Sequence, residues 1–229
     1  MALYAIGDLH LSLGADKPMD VFGGPWENYV EKIRLGFSAL HDDDVCVLCG
    51  DLAWGMTMEQ ALPDFQFIEA LPGKKILLKG NHDFWWSTAK KAYDFFEAHD
   101  MHTMDILNNN CYFYGDYAIC GTRGWFYEEA KGEAHDRKIM LREVGRLDAS
   151  LKAAGDKTKL VFLHYPPKYL GYECPEILQL LDAYHVPLCC YGHIHSRGCR
   201  SAFQGMYHNT EFRLLSADYI SFCPRRILP

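Results

Sequence analysis

The stretch Leu3-Tyr4-Ala5-Ile6-Gly7-Asp8-Leu9-His10 sets a short apolar run before a glycine and two side chains of metal-ligand type. The arrangement recurs along the chain. Val45-Cys46-Val47-Leu48-Cys49 leads into Gly50-Asp51, and Ile76-Leu77-Leu78 leads into Gly80-Asn81-His82-Asp83. Leu160-Val161-Phe162-Leu163 leads into His164, and Leu188-Cys189-Cys190-Tyr191 leads into Gly192-His193-Ile194-His195. Apolar runs of this length bounded by turn residues read as buried strands. Polar blocks at their C-terminal ends fall where open α/β sheets build their sites.

Between the strands the spacing turns helical. Residues 27 to 40 place Tyr29, Ile33, Phe37 and Leu40 on one face, and 57 to 70 place Ala61, Phe65 and Ile68 on another, stopped by Pro72-Gly73. Further helices are read over 88 to 98, 133 to 153 and 175 to 184; in the second of these Ile139, Leu141, Val144, Leu147 and Leu151 are the apolar positions. Asp42-Asp43-Asp44 is read as a solvated turn. Ile106-Leu107, Tyr112 to Tyr114 and Tyr117 to Cys120 read as short strands, the last two joined as a hairpin through Gly115-Asp116. Phe203, Met206-Tyr207 and 212 to 215 suggest closing strands. The pattern predicts an α/β fold, with mixed sheets inside and helices outside. There is no internal repeat or linker, so residues 1–229 are read as a single domain.

Hydrophobic residues make up 49% of the 229, enough for a sizeable core. A net charge of −7 argues against non-specific binding to nucleic acid, which needs a basic surface to displace counterions. Nine irregularly spaced cysteines make no disulfide framework, and Cys46 and Cys49 lie inside an apolar run as core thiols. The opening Met1 to Ile6 lacks the basic region of a secretory signal, and no run approaches the ~20 apolar residues of a membrane span. The expectation is a reduced, cytoplasmic protein with no membrane partner. The oligomeric state stays open.

In an extended segment alternate residues point the same way, so Asp8 and His10 can reach one ion, and His193 with His195 repeats the device. Asp51 is free to bridge two ions, Asn81 offers a neutral amide oxygen, and His164 ends its strand. Imidazole mixed with carboxylate suits zinc, manganese, iron or nickel. Two divalent ions, two aspartates and a shared hydroxide leave a cluster of about +1, suited to a phosphate anion. The chemistry expected is hydrolysis of a phosphomonoester or phosphodiester in a small phosphorylated substrate. A water shared by the metals, its pKa lowered from 15.7 towards about 7, attacks phosphorus in line. His82, spare in the ligand count, is the donor for the leaving group, and Asp83 orients His82 or caps the next helix.

The blocks resemble those of the calcineurin-like metallophosphoesterase superfamily: Asp-x-His, Gly-Asp, Gly-Asn-His-Asp/Glu, His, then Gly-His-x-His. The resemblance runs from residue 7 to residue 195. It implies a four-layer α/β/β/α sandwich with a dinuclear metal site. By position, Asp8, His10, Asp51 and His195 would hold one metal, and Asp51, Asn81, His164 and His193 the other, with His82 protonating the leaving group. The chain departs from the serine/threonine protein phosphatase branch: Leu52-Ala53-Trp54-Gly55 follows Gly50-Asp51, and Lys79 stands where that branch has an arginine. The phosphate-clamping arginines are missing there, and Arg123 is the candidate substitute, with a structural role as its rival.

Trp54, Trp85 and Trp86 divide between core packing and a pocket wall, and Trp125-Phe126-Tyr127 between a lid and a packed loop. Tyr165-Pro166-Pro167 is read as fixing the loop that presents His164. The charge-rich stretch 128 to 146 is read as a solvated helix face. His41, His99, His102, His135, His185 and His208 have no block context and are read as surface or hydrogen-bonded histidines. A non-catalytic metal-binding scaffold of the same fold is the alternative. It is disfavoured because no ligand or donor position is lost. Covalent cysteine phosphatase chemistry needs Cys-x5-Arg, and Cys190 to Arg197 has six residues between.

Overall fold

The computed structural model describes residues 1–125 and 133–229. In chain order the elements are β1 (Leu3–Ile6), α1 (Tyr29–Phe37), β2 (Val45–Leu48), α2 (Leu62–Glu69), β3 (Lys74–Leu77), α3 (Ala89–Ala98) and β4 (Met104–Ile106). There follow β5 (Cys111–Tyr114), β6 (Tyr117–Thr122), α4 (Glu133–Ala153), β7 (Thr158–Leu163), β8 (Lys168–Tyr169) and β9 (Tyr172–Glu173). The chain closes with α5 (Pro175–Ala183), β10 (Leu188–Tyr191), β11 (Gly205–Tyr207), β12 (Thr210–Leu214) and β13 (Arg225–Leu228).

Two mixed sheets form. The first runs β13-β1-β2-β3-β4, with β1 to β4 parallel and β13 antiparallel at the edge. The second runs β11-β12-β10-β7-β6-β5, with β12, β10, β7 and β6 parallel and an antiparallel strand at each edge. Side chains of β1 and β2 alternate between two cores. Ile6 and Leu48 pack with Ile33, Phe37, Phe65 and Phe96 under α1, α2 and α3, while Ala5 and Val47 turn the other way. There they meet Ile119, Leu160, Phe162 and Cys190 of the second sheet. The far face of that sheet packs Val161, Leu163 and Cys189 against Leu147 and Leu151 of α4 and Ile177 and Leu181 of α5. The layers are therefore α/β/β/α. Central strands covered on both faces explain why their sequences are continuous apolar runs.

Three details differ from the sequence reading. The helix expected over 57 to 70 begins at Leu62: residues 57 to 61 form a turn, and Pro63 occupies the first helical turn, where its missing N–H costs nothing. In α4 Leu141 is 48% exposed and Met140 takes its place in the core, a one-residue shift of the buried stripe. Asp44 is buried, not solvated; it accepts from Ala2 N at 2.5 Å and His41 N at 2.9 Å and so ties the start of β1 to the start of β2.

The sequence reading missed the β8–β9 hairpin and β13, whose Arg225-Arg226 pair masks an edge strand. His41, His99, His102, His135, His185 and His208 are exposed, as read. Phe126 and Tyr127, and residues 128 to 132 of the charge-rich stretch, lie outside the described residues. Among the described residues no helix is long and apolar enough to cross a membrane.

Candidate metal centre and active site

Strand register aligns the blocks. Ile6, Leu48 and Leu77 are side by side at the ends of β1, β2 and β3. Asp8, Asp51 and Asn81 follow them by two, three and four residues. In the second sheet Leu163, Tyr191 and Leu214 are side by side, and His164, His193 and Asp218 follow by one, two and four. The two edges are joined by a parallel bridge between Gly7 and Ser216, with Gly7 N donating to Leu215 O at 2.8 Å.

The side chains converge in two groups. Asp8, His10 and His195 form one and Asp51, His164 and His193 the other, each with its ligand atoms within 4.8 Å of one another. Asp51 Oδ2 is 3.7 Å from His10 Nε2 and 3.6 Å from His164 Nε2, so this carboxylate faces both groups. Asn81 Oδ1 lies 2.6 Å from His164 Nε2 and 3.1 Å from His193 Nδ1. The extended geometry expected for Asp8-Leu9-His10 is not what brings these atoms together: Asp8 has φ +61° and His10 φ +46°. His193, at φ +72°, and His195 turn to different groups.

The electrostatics fit a pair of cations. Burial holds the imidazoles of His10 and His164 neutral, His164 down to about 3, which is the ligating form. Burial raises the Asp51 carboxyl well above its usual range, and the carboxylates of Asp83 and Asp8 raise it further. Asp8 is pulled the other way: burial opposes ionisation, but His195, His164 and His10 outweigh it. Burial also opposes a proton on His195, yet Asp8 and Asp218 lift its pKa to about 10. His195 Nε2 faces His10 Nε2 at 3.2 Å, so the extra proton sits at a position a cation can take. Crowded buried carboxylates and imidazoles aimed at shared points are the donor set that divalent N/O-binding metals require.

Around the groups a frame of backbone contacts holds the loops. Asp83 is not the cap of the next helix. Its buried carboxylate accepts from the backbone N–H of Asp51 at 2.9 Å, Leu52 at 2.8 Å and Gly80 at 2.7 Å, and from Trp85 Nε1 at 3.0 Å. Asp83 positions the turn that carries Asp51, while Thr88 caps α3 by accepting from Lys91 N. Two glycines are forced by close approach: a Cβ on Gly80 would overlap Oδ1 of Asp51, and one on Gly192 would overlap Oδ2 of Asp8. Tyr165, buried, packs edge-on to His164 and His193.

His82 is half-buried, with its ring 4.5 Å from that of Trp54 and 5.8 Å from that of His10, and its backbone N–H donates to Asp51 Oδ1 at 2.8 Å. Trp54 also stacks on His10, so it serves the site, whereas Trp85 is core. Arg123 places its carbonyl under the site, accepting from His164 N at 3.1 Å and Tyr165 N at 2.8 Å. Its guanidinium turns towards Glu143 at 3.5 Å and lies over the rings of Tyr165 and Trp125.

The sequence reading missed Asp218. Its Oδ1 is 2.9 Å from His195 Nδ1 and its Oδ2 accepts from Ser196 N at 2.8 Å. A carboxylate on the far nitrogen of a ligating imidazole fixes the ring and raises its basicity. The available signal was position: an aspartate just past the strand read over 212 to 215.

Fold and site define a hydrolase of the phosphoesterase class. The chain belongs to the calcineurin-like phosphoesterase family, whose model matches residues 1–197. Among solved structures it is similar to phosphopantetheinyl hydrolase (PptH) from Mycobacterium tuberculosis, at 16% identity and a TM-score of 0.61 over 100% of this chain and 96% of that one. It is also similar to TT1561 of Thermus thermophilus, at 15% identity and a TM-score of 0.60 over 99% and 97%. A third likeness is AQ665, a protein of unknown function from Aquifex aeolicus, at 16% identity and a TM-score of 0.50 over 98% and 95%. No curated protein matches the chain at a significant level.

Proposed function

We propose that this protein hydrolyses a phosphate ester in a small phosphorylated substrate, using two divalent cations drawn from manganese, iron, zinc and nickel. The observation that carries this reading is the convergence of Asp8, His10 and His195 beside Asp51, His164 and His193, with one Asp51 oxygen facing both groups. Asp8, His10, Asp51 and His195 would hold one cation, and Asp51, Asn81, His164 and His193 the other. Such a pair supplies an acidified water as nucleophile and neutralises charge on the phosphoryl oxygens.

The protein's own groups do the rest. Asp83 fixes the turn beneath Asp51, Asp218 orients His195, and the stacked ring of Trp54 holds His10 and His82 in relation to each other. His82, beside the ligands and partly open to solvent, gives a proton to the departing alkoxide oxygen. All nine cysteines are free thiols, which supports a reducing, cytoplasmic setting.

Chelation should abolish hydrolysis of an aryl phosphate and manganese should restore it. His82→Ala should lower kcat by about 10²–10⁴ on an alkyl ester, whose leaving group needs a proton, and by much less on p-nitrophenyl phosphate. Undiminished turnover after exhaustive chelation would overturn the reading.

A further inference from the structure

A second cavity of about 420 Å³ opens beside the metal centre and uses none of its ligands. Its wall brings together Lys79, Arg123, Arg142 and Arg146, and Glu143 is the one acidic residue among the described residues that line it. Glu143 is already engaged: its Oε2 accepts from Thr122 Oγ1 at 2.5 Å and its Oε1 from Arg146 Nη1 at 2.6 Å. Arg123 Nε is buried and has no hydrogen-bond partner among the described residues. Among the described lining residues one carboxylate faces four basic side chains, which leaves a local excess of positive charge in a chain of net −7 and a field that favours an anion. Thr88, the N-cap of the ten-residue α3, lines the same cavity and turns the positive end of the helix towards it.

The cavity and the metal centre share two backbone segments. Lys79 directly precedes Gly80-Asn81, and the Arg123 carbonyl holds the backbone N–H of His164. Two residues of chain span at most about 7 Å, so the backbone of Lys79 on the cavity wall lies within that reach of the backbone of Asn81. Guanidinium groups recognise the oxygens of a phosphate in pairs, and several of them around a cavity of this size select a compact dianion.

We propose that this cavity binds a second phosphate group carried by the same substrate whose ester is cleaved at the metal centre. The proposal rests on the phosphohydrolase reading and narrows its substrate class to compounds with two phosphates separated by a short linker.

The test compares α,ω-alkanediol bisphosphates of two to six carbons with the matching monophosphates, using manganese-loaded protein and release of inorganic phosphate. At one chain length the bisphosphate is expected to show kcat/KM at least tenfold above its monophosphate. Arg142→Glu, at an exposed position, and the milder Arg146→Gln should each shrink that ratio towards one, with KM carrying the change. A ratio of one at every chain length in the wild type overturns the proposal, as does a ratio that survives both substitutions.

Calorimetric titration of inorganic pyrophosphate into chelator-treated protein reads the cavity without turnover. Binding by the wild type that weakens at least tenfold in Arg142→Glu supports the site, and no binding by the wild type overturns it. Pyrophosphate binding with no bisphosphate advantage means that the cavity takes a free anion, which overturns the substrate assignment. If pyrophosphate binds but the protein releases no phosphate from any ester, the phosphohydrolase reading fails and the substrate assignment falls with it, while the anion site stands.

Discussion

Asp8, His10, Asp51 and His193 all adopt positive φ, between +46° and +72°, a region that costs non-glycine residues of order 1–3 kcal/mol each. The surroundings hold them there: Asp83 fixes the turn at Asp51, and both Asp8 oxygens accept from the His193 backbone at 2.9 and 3.0 Å. The residue types were legible from the sequence because metal ligands belong to a short menu. Their backbone conformations were not, since left-handed φ at aspartate or histidine leaves no mark on composition. Asp218 illustrates the same limit, because what makes it matter is a 2.9 Å contact with His195 across 23 residues of chain. Asp218→Asn should leave the fold intact and lower metal affinity by about 10–100-fold, measured by metal titration of chelator-treated protein. Wild-type affinity in that variant would show that the His195 ring needs no carboxylate.

At the scale of elements, the strands were the most legible, because burial on both faces writes an apolar run into the sequence. Helix boundaries were less so: α2 starts five residues later than the periodicity over 57 to 70 suggests, because Pro63 favours the first helical turn. That helix also buries Asp64, which accepts from Leu13 N at 2.7 Å through Oδ1 while Oδ2 has no partner among the described residues. Burial lifts its pKa to about 6, above an unfolded value of 3.8. The folded state therefore carries the full cost of the charge above pH 6 and is relieved of it as pH falls from about 6 towards 4, where the native protein takes up the proton first. Asp64→Asn should raise stability at pH 7 by about 1–3 kcal/mol. The gain should shrink as pH drops through that window in denaturant titrations, and a gain that does not change between pH 7 and pH 4 would remove the carboxylate as its cause.

Across the whole molecule the site depends on two sheets being held face to face, since Asp8, His10, Asp51 and Asn81 come from one and His164, His193 and His195 from the other. Phe162, with no exposed surface, sits in the core between them. Phe162→Ala should cost about 3–5 kcal/mol and unfold in one transition that bound metal shifts upward, as expected for a single domain. Two transitions, only one of them moved by metal, would mean that the sheets fold apart. The sequence by itself determined the candidate ligand types, their order and the strand ends that carry them, because strand burial and metal chemistry each restrict residue choice locally. Only the tertiary structure decided which ligands share a group, that Asp83 serves the backbone, that Asp218 backs His195, and that four basic side chains wall a second cavity. These are contacts between residues far apart in the chain, set by the register and stacking of two sheets, and no local pattern encodes them.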